Sequence, residues 1–230
     1  MMRAIPTAIL FAAMLSACSV LPDSDPRRGG GPPSQATSPS RPTPARPPQI
    51  AGQCMAELGQ AGVSFSPVAD RYAGDGCSIV GAVQMASLQA DYSPVGVSNI
   101  GPVQCEVGNA FAAWARFGAD RAARQILGSG IDRIETMGSY SCRNVAGSGR
   151  RSAHATAGAI DIGAFVLADG RRISVRNGWN GGNAAEREFL RTVQRSACKR
   201  FATVLGPDYN AAHEDHLHLE GVGQGDSFCR

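Results

Sequence analysis

Apolar residues recur at helical spacing in three stretches of the chain. Cys54, Leu58 and Ala61 fall on one side of a segment that predicts a short helix over 51–61, ended by Gly62. Val107, Phe111, Trp114, Ala122 and Ile126 predict a core helix over 104–127, closed by Gly128. Gly118 lies on the same face and weakens that helix, because an interior Gly costs about 1 kcal/mol relative to Ala. Asn183, with Glu186 three residues on, reads as a capping box. It opens a helix whose core face is Phe189, Val193, Ala197 and Phe201. Residues 63–68, 78–88 and 131–141 read as strands. Residues 159–167 and 171–175 flank the turn Ala168-Asp169-Gly170 and form a hairpin. A last strand runs through 216–221. Two or three helices on an antiparallel sheet make an α+β domain over 51–230; no internal repeat is visible.

The N-terminal pattern differs. Arg3, the apolar run from Ile5 to Leu15 and the small residues after it have the shape of an export signal over 1–17 rather than of a structural helix. Residues 21–50 hold nine of the fourteen prolines, which leaves too little apolar surface to offset the entropy of ordering. Residues 18–50 therefore read as a tether with polyproline character. The net charge is +3, yet basic and acidic side chains balance from residue 51 onward. No basic face supports nucleic-acid binding, and beyond the leader nothing approaches the roughly 20 apolar residues of a membrane span.

Seven cysteines occur. Setting Cys18 aside leaves Cys54, Cys77, Cys105, Cys142, Cys198 and Cys229, an even number that in an exported chain predicts three disulfides. None stands in a Cys-x-x-Cys spacing, which argues against a thiolate zinc site or a redox motif. Pairing by short intervening segments gives Cys54–Cys77, Cys105–Cys142 and Cys198–Cys229.

The four histidines fall in two clusters. The first is Ser152-Ala153-His154-Ala155-Thr156-Ala157-Gly158-Ala159-Ile160-Asp161, and the second is His213-Glu214-Asp215-His216-Leu217-His218. On a strand His216 and His218 face the same way. His154 and Asp161 are an odd number of residues apart, so a turn over 155–158 must bring them together, with Gly158 able to take φ > 0. Two imidazoles, one carboxylate and an open fourth position match a catalytic zinc site. Asp215 reads as a residue behind the ligands or in a turn. Glu214 and Glu220 read as a solvated rim, and Arg150 and Arg151 as a solvated turn. Trp114 and Phe111 read as core, while Trp179 either lines a cleft or packs.

These motifs in this order resemble the metallopeptidase superfamily of lysostaphin-type enzymes and D-Ala-D-Ala peptidases. The segments Gly138-Ser139-Tyr140-Ser141-Cys142-Arg143-Asn144 and 205–213 resemble the bacterial extensin-like C-terminal domain family within it. The resemblance implies one zinc per chain, held by His154, Asp161 and His218. It also implies His216 as general base or water-orienting group, His213 as an auxiliary active-site residue, Arg143 on the substrate carbonyl or its oxyanion, and Ser152 in support. It implies a peptidase of peptidoglycan stem peptides or cross-links. Many superfamily members carry Gly three residues after the first His, where this chain has Ala157. Leu15-Ser16-Ala17-Cys18 resembles a bacterial lipobox, with Cys18 lipidated; Ser19 after it leans towards the outer membrane, facing the periplasm. The expected partners are thus peptidoglycan and, through the lipid anchor, a membrane. A noncatalytic zinc module that binds wall or protein is the alternative, because the Hedgehog signalling domain resembles this site and chiefly binds. A non-haem iron oxygenase also uses two His and a carboxylate, but its usual His-x-Asp spacing is absent.

Overall fold

A computed structural model describes residues 48–230; the expected export signal, Cys18 and residues 18–47 of the tether expected over 18–50 lie outside the described residues, while 48–50 are helical and open the helix expected from residue 51. Helix α1 (Pro48–Gln60) turns Cys54 and Leu58 inward, leaves Ala61 exposed and is followed by Gly62 at φ +75°. Strand β1 (Ser64–Pro67) follows, and then a separate two-stranded sheet of β2 (Arg71–Gly74) and β3 (Cys77–Ile79). The strand expected over 78–88 is interrupted at Val80 and Gly81. Gly81 takes φ +57° and its N–H donates to Asp70 Oδ1 at 2.8 Å, so β4 (Ala82–Gln89) starts afresh.

Beyond β5 (Pro94–Ser98) and β6 (Pro102–Gln104), helix α2 (Cys105–Trp114) begins the expected core helix. Its continuation over Ala115–Asp120 and Ala123–Leu127 takes the wider π-type turn, and Gly128 at φ +74° ends it. Asp120 in this stretch is fully buried; its Oδ1 accepts from the Ile131 N–H at 2.8 Å and its Oδ2 from Arg124 Nε at 2.9 Å. The carboxylate thus ties the helix to β7 (Ile131–Gly138).

Strands β8 (Ala159–Leu167) and β9 (Arg172–Ser174) form the expected hairpin. Two helices follow, α3 (Val175–Gly181) and α4 (Ala184–Ala197), and then β10 (Thr203–Leu205), β11 (Leu217–Glu220) and β12 (Phe228–Cys229). The capping box is formed at α4: Asn183 Oδ1 accepts from the Glu186 N–H, and Glu186 Oε2 accepts from the Asn183 N–H. The main sheet runs β1-β4-β5-β7-β8-β11-β10-β12, with β6 beside β4 and β9 beside β8. The class is α+β. The sheet is mixed rather than antiparallel, since β5 pairs parallel with β7 and β10 parallel with β12, and the described residues hold four α-helices instead of two or three. The extra helix is α3, over the glycine-rich stretch that offered no apolar periodicity. It buries Trp179, whose Nε1 donates to Asp208 Oδ1 at 2.8 Å, so this indole packs and does not line a cleft. No helix among the described residues is long and apolar enough to cross a membrane.

The core lies between the helices and one sheet face. Trp114, Phe165 and Phe189 form a chain of rings with centroids 6.1 and 5.1 Å apart, and Trp114 Nε1 donates to the Val193 carbonyl at 3.0 Å. On β8, Ile160 and Ile162 enter this core, and Asp161 between them projects to the other side of the strand.

Three disulfides are present, with two pairings other than those expected. Cys54 bonds Cys105, because α1 packs on α2; Cys77 bonds Cys142, because β3 lies beside the segment that leaves β7; Cys198 bonds Cys229. Spatial neighbours were set by packing, not by the shortest intervening segment.

Gly118 is where the long helix meets α4. A Cβ there would lie within 3.1 Å of Ser196 Cβ and 3.0 Å of Trp114 Cδ1, and on top of Ser196 Oγ. Gly118→Val should therefore lower the free energy of unfolding by about 2 kcal/mol. Adding Ser196→Gly should return part of that loss. Urea unfolding midpoints of the two variants measure this; identical losses in both backgrounds would show that Ser196 is not the obstacle.

Candidate metal centre

Three elements deliver the centre. A 3-10 turn, Ala153–Thr156, carries His154; β8 carries Asp161; β11 carries His218, directly opposite Asp161 in the antiparallel register. Ser152 caps the turn, its Oγ accepting from the His154 N–H at 3.3 Å. The left-handed residue that reverses the chain is Ala157, at φ +56° and ψ +26°, and not Gly158. Its N–H closes the turn onto the His154 carbonyl. Gly158 serves close approach instead, since a Cβ there would sit 3.3 Å from the Ala153 carbonyl oxygen. Ala157 takes this left-handed conformation at a backbone cost of about 1–2 kcal/mol that the surrounding contacts must hold.

His154, Asp161 and His218 are each less than a tenth exposed. One ligand atom from each lies within 4.8 Å of the others, and this buried group could hold a metal ion. Asp161 Oδ2 is 3.1 Å from His154 Nε2, Asp161 Oδ1 is 2.8 Å from His218 Nδ1, and the two ring nitrogens are 3.2 Å apart. The outer nitrogens settle the tautomers. His154 Nδ1 donates to the Ser139 carbonyl at 3.1 Å, which leaves Nε2 for the centre. His218 Nε2 donates to Glu220 Oε2 at 3.1 Å, which directs Nδ1 inward. Such carboxylate–imidazole pairs orient a metal ligand and raise its basicity.

Glu220 is therefore not a solvated rim. It is half-buried and engaged with His218. It stands two residues from His218 on the same strand, so the period of two could have revealed it. Ser139 contributes only a backbone carbonyl, which no side-chain pattern announces. Its own Oγ donates to the Ile100 and Pro102 carbonyls and fixes that oxygen in place.

His216 precedes β11 rather than lying in it, yet it converges on the same carboxylate, with Nε2 3.5 Å from Asp161 Oδ1. Its Nδ1 donates to Asp215 Oδ1 at 2.8 Å, and Arg176 Nη2 donates to Asp215 Oδ2 at 2.8 Å. Asp215 thus stands behind His216 as a positioning group, while Glu214 is exposed with Arg176 at 3.5 Å. His213 donates from Nδ1 to Asn210 Oδ1 at 2.7 Å, and its ring lies 5.1 Å from that of His216 and 5.8 Å from that of His218. A cavity of about 390 Å³ opens beside these rings, lined also by Arg143, Arg150, Ser152, Tyr209 and Phe228. Arg150 belongs to its wall, and Arg151 is turned away onto the Asp75 carbonyl.

Charge is strongly organised here. Burial raises the Asp161 pKa, but hydrogen bonds from His154 and His218 outweigh it and hold the carboxyl far below its usual range. Burial disfavours the His218 imidazolium, and its bonds to Asp161 and Glu220 reverse that, pushing it up to about 9. Burial, then the neighbouring His216 and His218, press His213 down to about 4, so it is neutral at pH 7.

In the metal-free protein a proton on His218 Nδ1 bridges to Asp161 and must leave before a cation binds. Because the folded-state value is raised, that proton and its contribution to stability persist at low pH and are lost as pH rises through about 9. Apparent zinc affinity should therefore climb by about tenfold per pH unit between about pH 6.5 and 8.5. It should level off near 9. Glu220→Gln should lower affinity by about 10- to 100-fold. Competition titrations against a chromogenic chelator read both effects; a flat pH profile would show that His218 is not the titrating ligand.

Comparison with known proteins gives one family match, to the extensin-like protein C-terminus, over residues 52–230. No curated protein and no solved structure matches the chain. The matched span holds all six disulfide cysteines, the three candidate ligands, His213, His216 and Arg143. The chain belongs to the extensin-like protein C-terminus family.

Proposed function

We propose that the chain is a zinc metallopeptidase of the bacterial cell envelope that hydrolyses peptide bonds in peptidoglycan stem peptides or cross-links. One observation carries the reading. The buried His154–Asp161–His218 group has a third, differently tethered imidazole, His216, at its edge, and His216 and His218 both line a cavity of about 390 Å³. A structural metal site does not require a nearby imidazole that is oriented from behind by a carboxylate. The order of motifs, which resembles that of the lysostaphin-type and D-Ala-D-Ala metallopeptidases, supports this reading.

The donor set of two imidazoles and one carboxylate suits zinc. Zinc supplies Lewis acidity and acidifies a water molecule to a pKa of about 7. His216 Nδ1 is committed to Asp215, so its Nε2 is free to accept the proton of the attacking water. The same nitrogen returns the proton to the amide nitrogen as the C–N bond breaks. One water is thereby added across one amide, leaving an acid and an amine. Arg143 on the cavity wall donates to the carbonyl oxygen as negative charge gathers there. Neutral His213 offers its free Nε2 as an acceptor beside His216. Ser152 acts through the turn it caps.

Lipidation at Cys18 would anchor the domain, by the segment 18–47, to a membrane facing the periplasm, the outer one in this reading. Anchorage raises the local concentration of enzyme at an insoluble wall. A second reading, a noncatalytic zinc module that binds wall or protein, draws on the low exposure of all three candidate ligands, since closed sites are typically structural.

Zinc-loaded protein should trim muropeptides, with a chelator abolishing the change. His216→Ala should lower the rate by about 10²- to 10⁴-fold while keeping the metal, and Arg143→Ala by about 10²- to 10³-fold. Mass spectrometry of muropeptide digests reads the products, and metal analysis of each variant reads retention. Identical muropeptides from wild type and His216→Ala across several stem types would end the peptidase reading. Co-sedimentation with insoluble peptidoglycan without product would favour the binding module.

A further inference from the structure

The segment 143–152 folds back on itself as a small hairpin. The Ser152 N–H donates to the Arg143 carbonyl at 3.1 Å, the Val145 N–H donates to the Arg150 carbonyl at 2.9 Å, and Asn144 pairs with Arg151 between them. Alternation along both arms puts Arg143, Val145, Arg150 and Ser152 on one face, and all four line the cavity beside the histidines. Asn144 and Arg151 take the other face, where Arg151 Nη1 donates to Asn144 Oδ1 and its Nε donates to the Asp75 carbonyl. The Cys77–Cys142 bridge ties the base of the hairpin to the β2–β3 sheet. The hairpin is thus built to hold one face over the cavity.

Two guanidinium groups sit diagonally on that face. Among the described residues, no carboxylate lies within ion-pair distance of Arg143 or Arg150, whereas Arg116, Arg121, Arg124, Arg172, Arg176 and Arg191 all have one. The acid on the cavity wall, Glu220, is already engaged with His218. Two like charges on one face over a cavity, where the nearby acid Glu220 is already bonded to His218, favour an anion that joins them. A planar guanidinium fits a carboxylate in bidentate fashion.

We infer that Arg150 is a specificity-determining residue that binds a free carboxylate of the substrate, while Arg143 faces the reacting carbonyl. This rests on the peptidase reading and narrows it: the preferred substrate carries a carboxylate close to the scissile amide. That carboxylate belongs either to the chain terminus or to an acidic side chain.

Isothermal titration of the zinc-loaded chain separates these sources. The probes are N-acetyl-D-Ala-D-Ala, its C-terminal amide, and N-acetyl-D-Glu-D-Ala amide. At least one carboxylate probe should bind about tenfold or more tightly than the neutral amide, and the tighter one identifies the source. Arg150→Gln should erase that preference with its melting temperature unchanged, and Arg150→Lys should keep part of it. Equal binding of all three probes, binding of none, or an unchanged preference in Arg150→Gln would overturn the assignment. Muropeptide trimming is scored separately. Cleavage by wild type with equal probe affinities removes only the role of Arg150, and a preference lost in Arg150→Gln without any cleavage removes only the peptidase reading.

Discussion

A carboxylate buried beneath three imidazoles is the constraint on which the rest of the structure depends. Asp161 stands between two core isoleucines on β8, with its charge enclosed on the far side of the strand. A buried charge that lacks a partner costs several kcal/mol or more. His154, His216 and His218 all approach within 3.5 Å of it. Each is held by a group behind it: the Ser139 carbonyl, Asp215 and Glu220 respectively. Those outer contacts orient the three imidazoles. The Ser139 carbonyl accepts from His154 Nδ1 and leaves Nε2 on the inner side. Carboxylates accept from His216 Nδ1 and His218 Nε2, and each turns the other ring nitrogen toward Asp161. The site is therefore a basin for one extra positive charge, and the elevated His218 value expresses this in protons.

Much of this was legible in the sequence where the determinants are local. Histidine is scarce here, so two tight clusters stand out, and His216, just before β11, and His218 within it both turn toward Asp161 as the period of two expects. The capping box at Asn183 and the hairpin at Asp169-Gly170 are set within a few residues and appear as expected. Non-local features escaped. Cys54 and Cys77 flank a short segment, but β3 leaves α1 to form its own two-stranded sheet, so each cysteine finds a later partner. Glu220 shares the face of His218, yet exposed glutamate is so common that its sequence position alone argues for solvent. The carbonyl of Ser139 has no side-chain signature at all.

Ala157 shows how a local rule can be right about the need and wrong about the place. The seven-residue step from His154 to Asp161 demands a reversal, and one residue must take a left-handed conformation. Glycine does so without penalty, which pointed to Gly158. The 3-10 turn, however, ends one residue earlier, because the Ala157 N–H must reach the His154 carbonyl while the Gly158 N–H reaches that of Ala153. Hydrogen-bond closure takes precedence over the conformational preference of a single alanine. The strain is then stored beside the ligand that the turn presents.

The hairpin over 143–152 joins the chemistry to the redox state of the chain. Its cavity face carries the guanidinium groups, its back face leans on the β2–β3 sheet, and the covalent link between the two is Cys77–Cys142. The β2–β3 sheet is small, and all four residues of β2 are exposed. It is a poor anchor by apolar packing alone, since a two-stranded hairpin is marginal in water. The crosslink supplies what packing does not. An arm secured in this way is fully positioned only where thiols oxidise. The proposed export of the chain would meet that condition, because Cys77–Cys142 ties down the arm that carries Arg143 and Arg150 to the cavity wall.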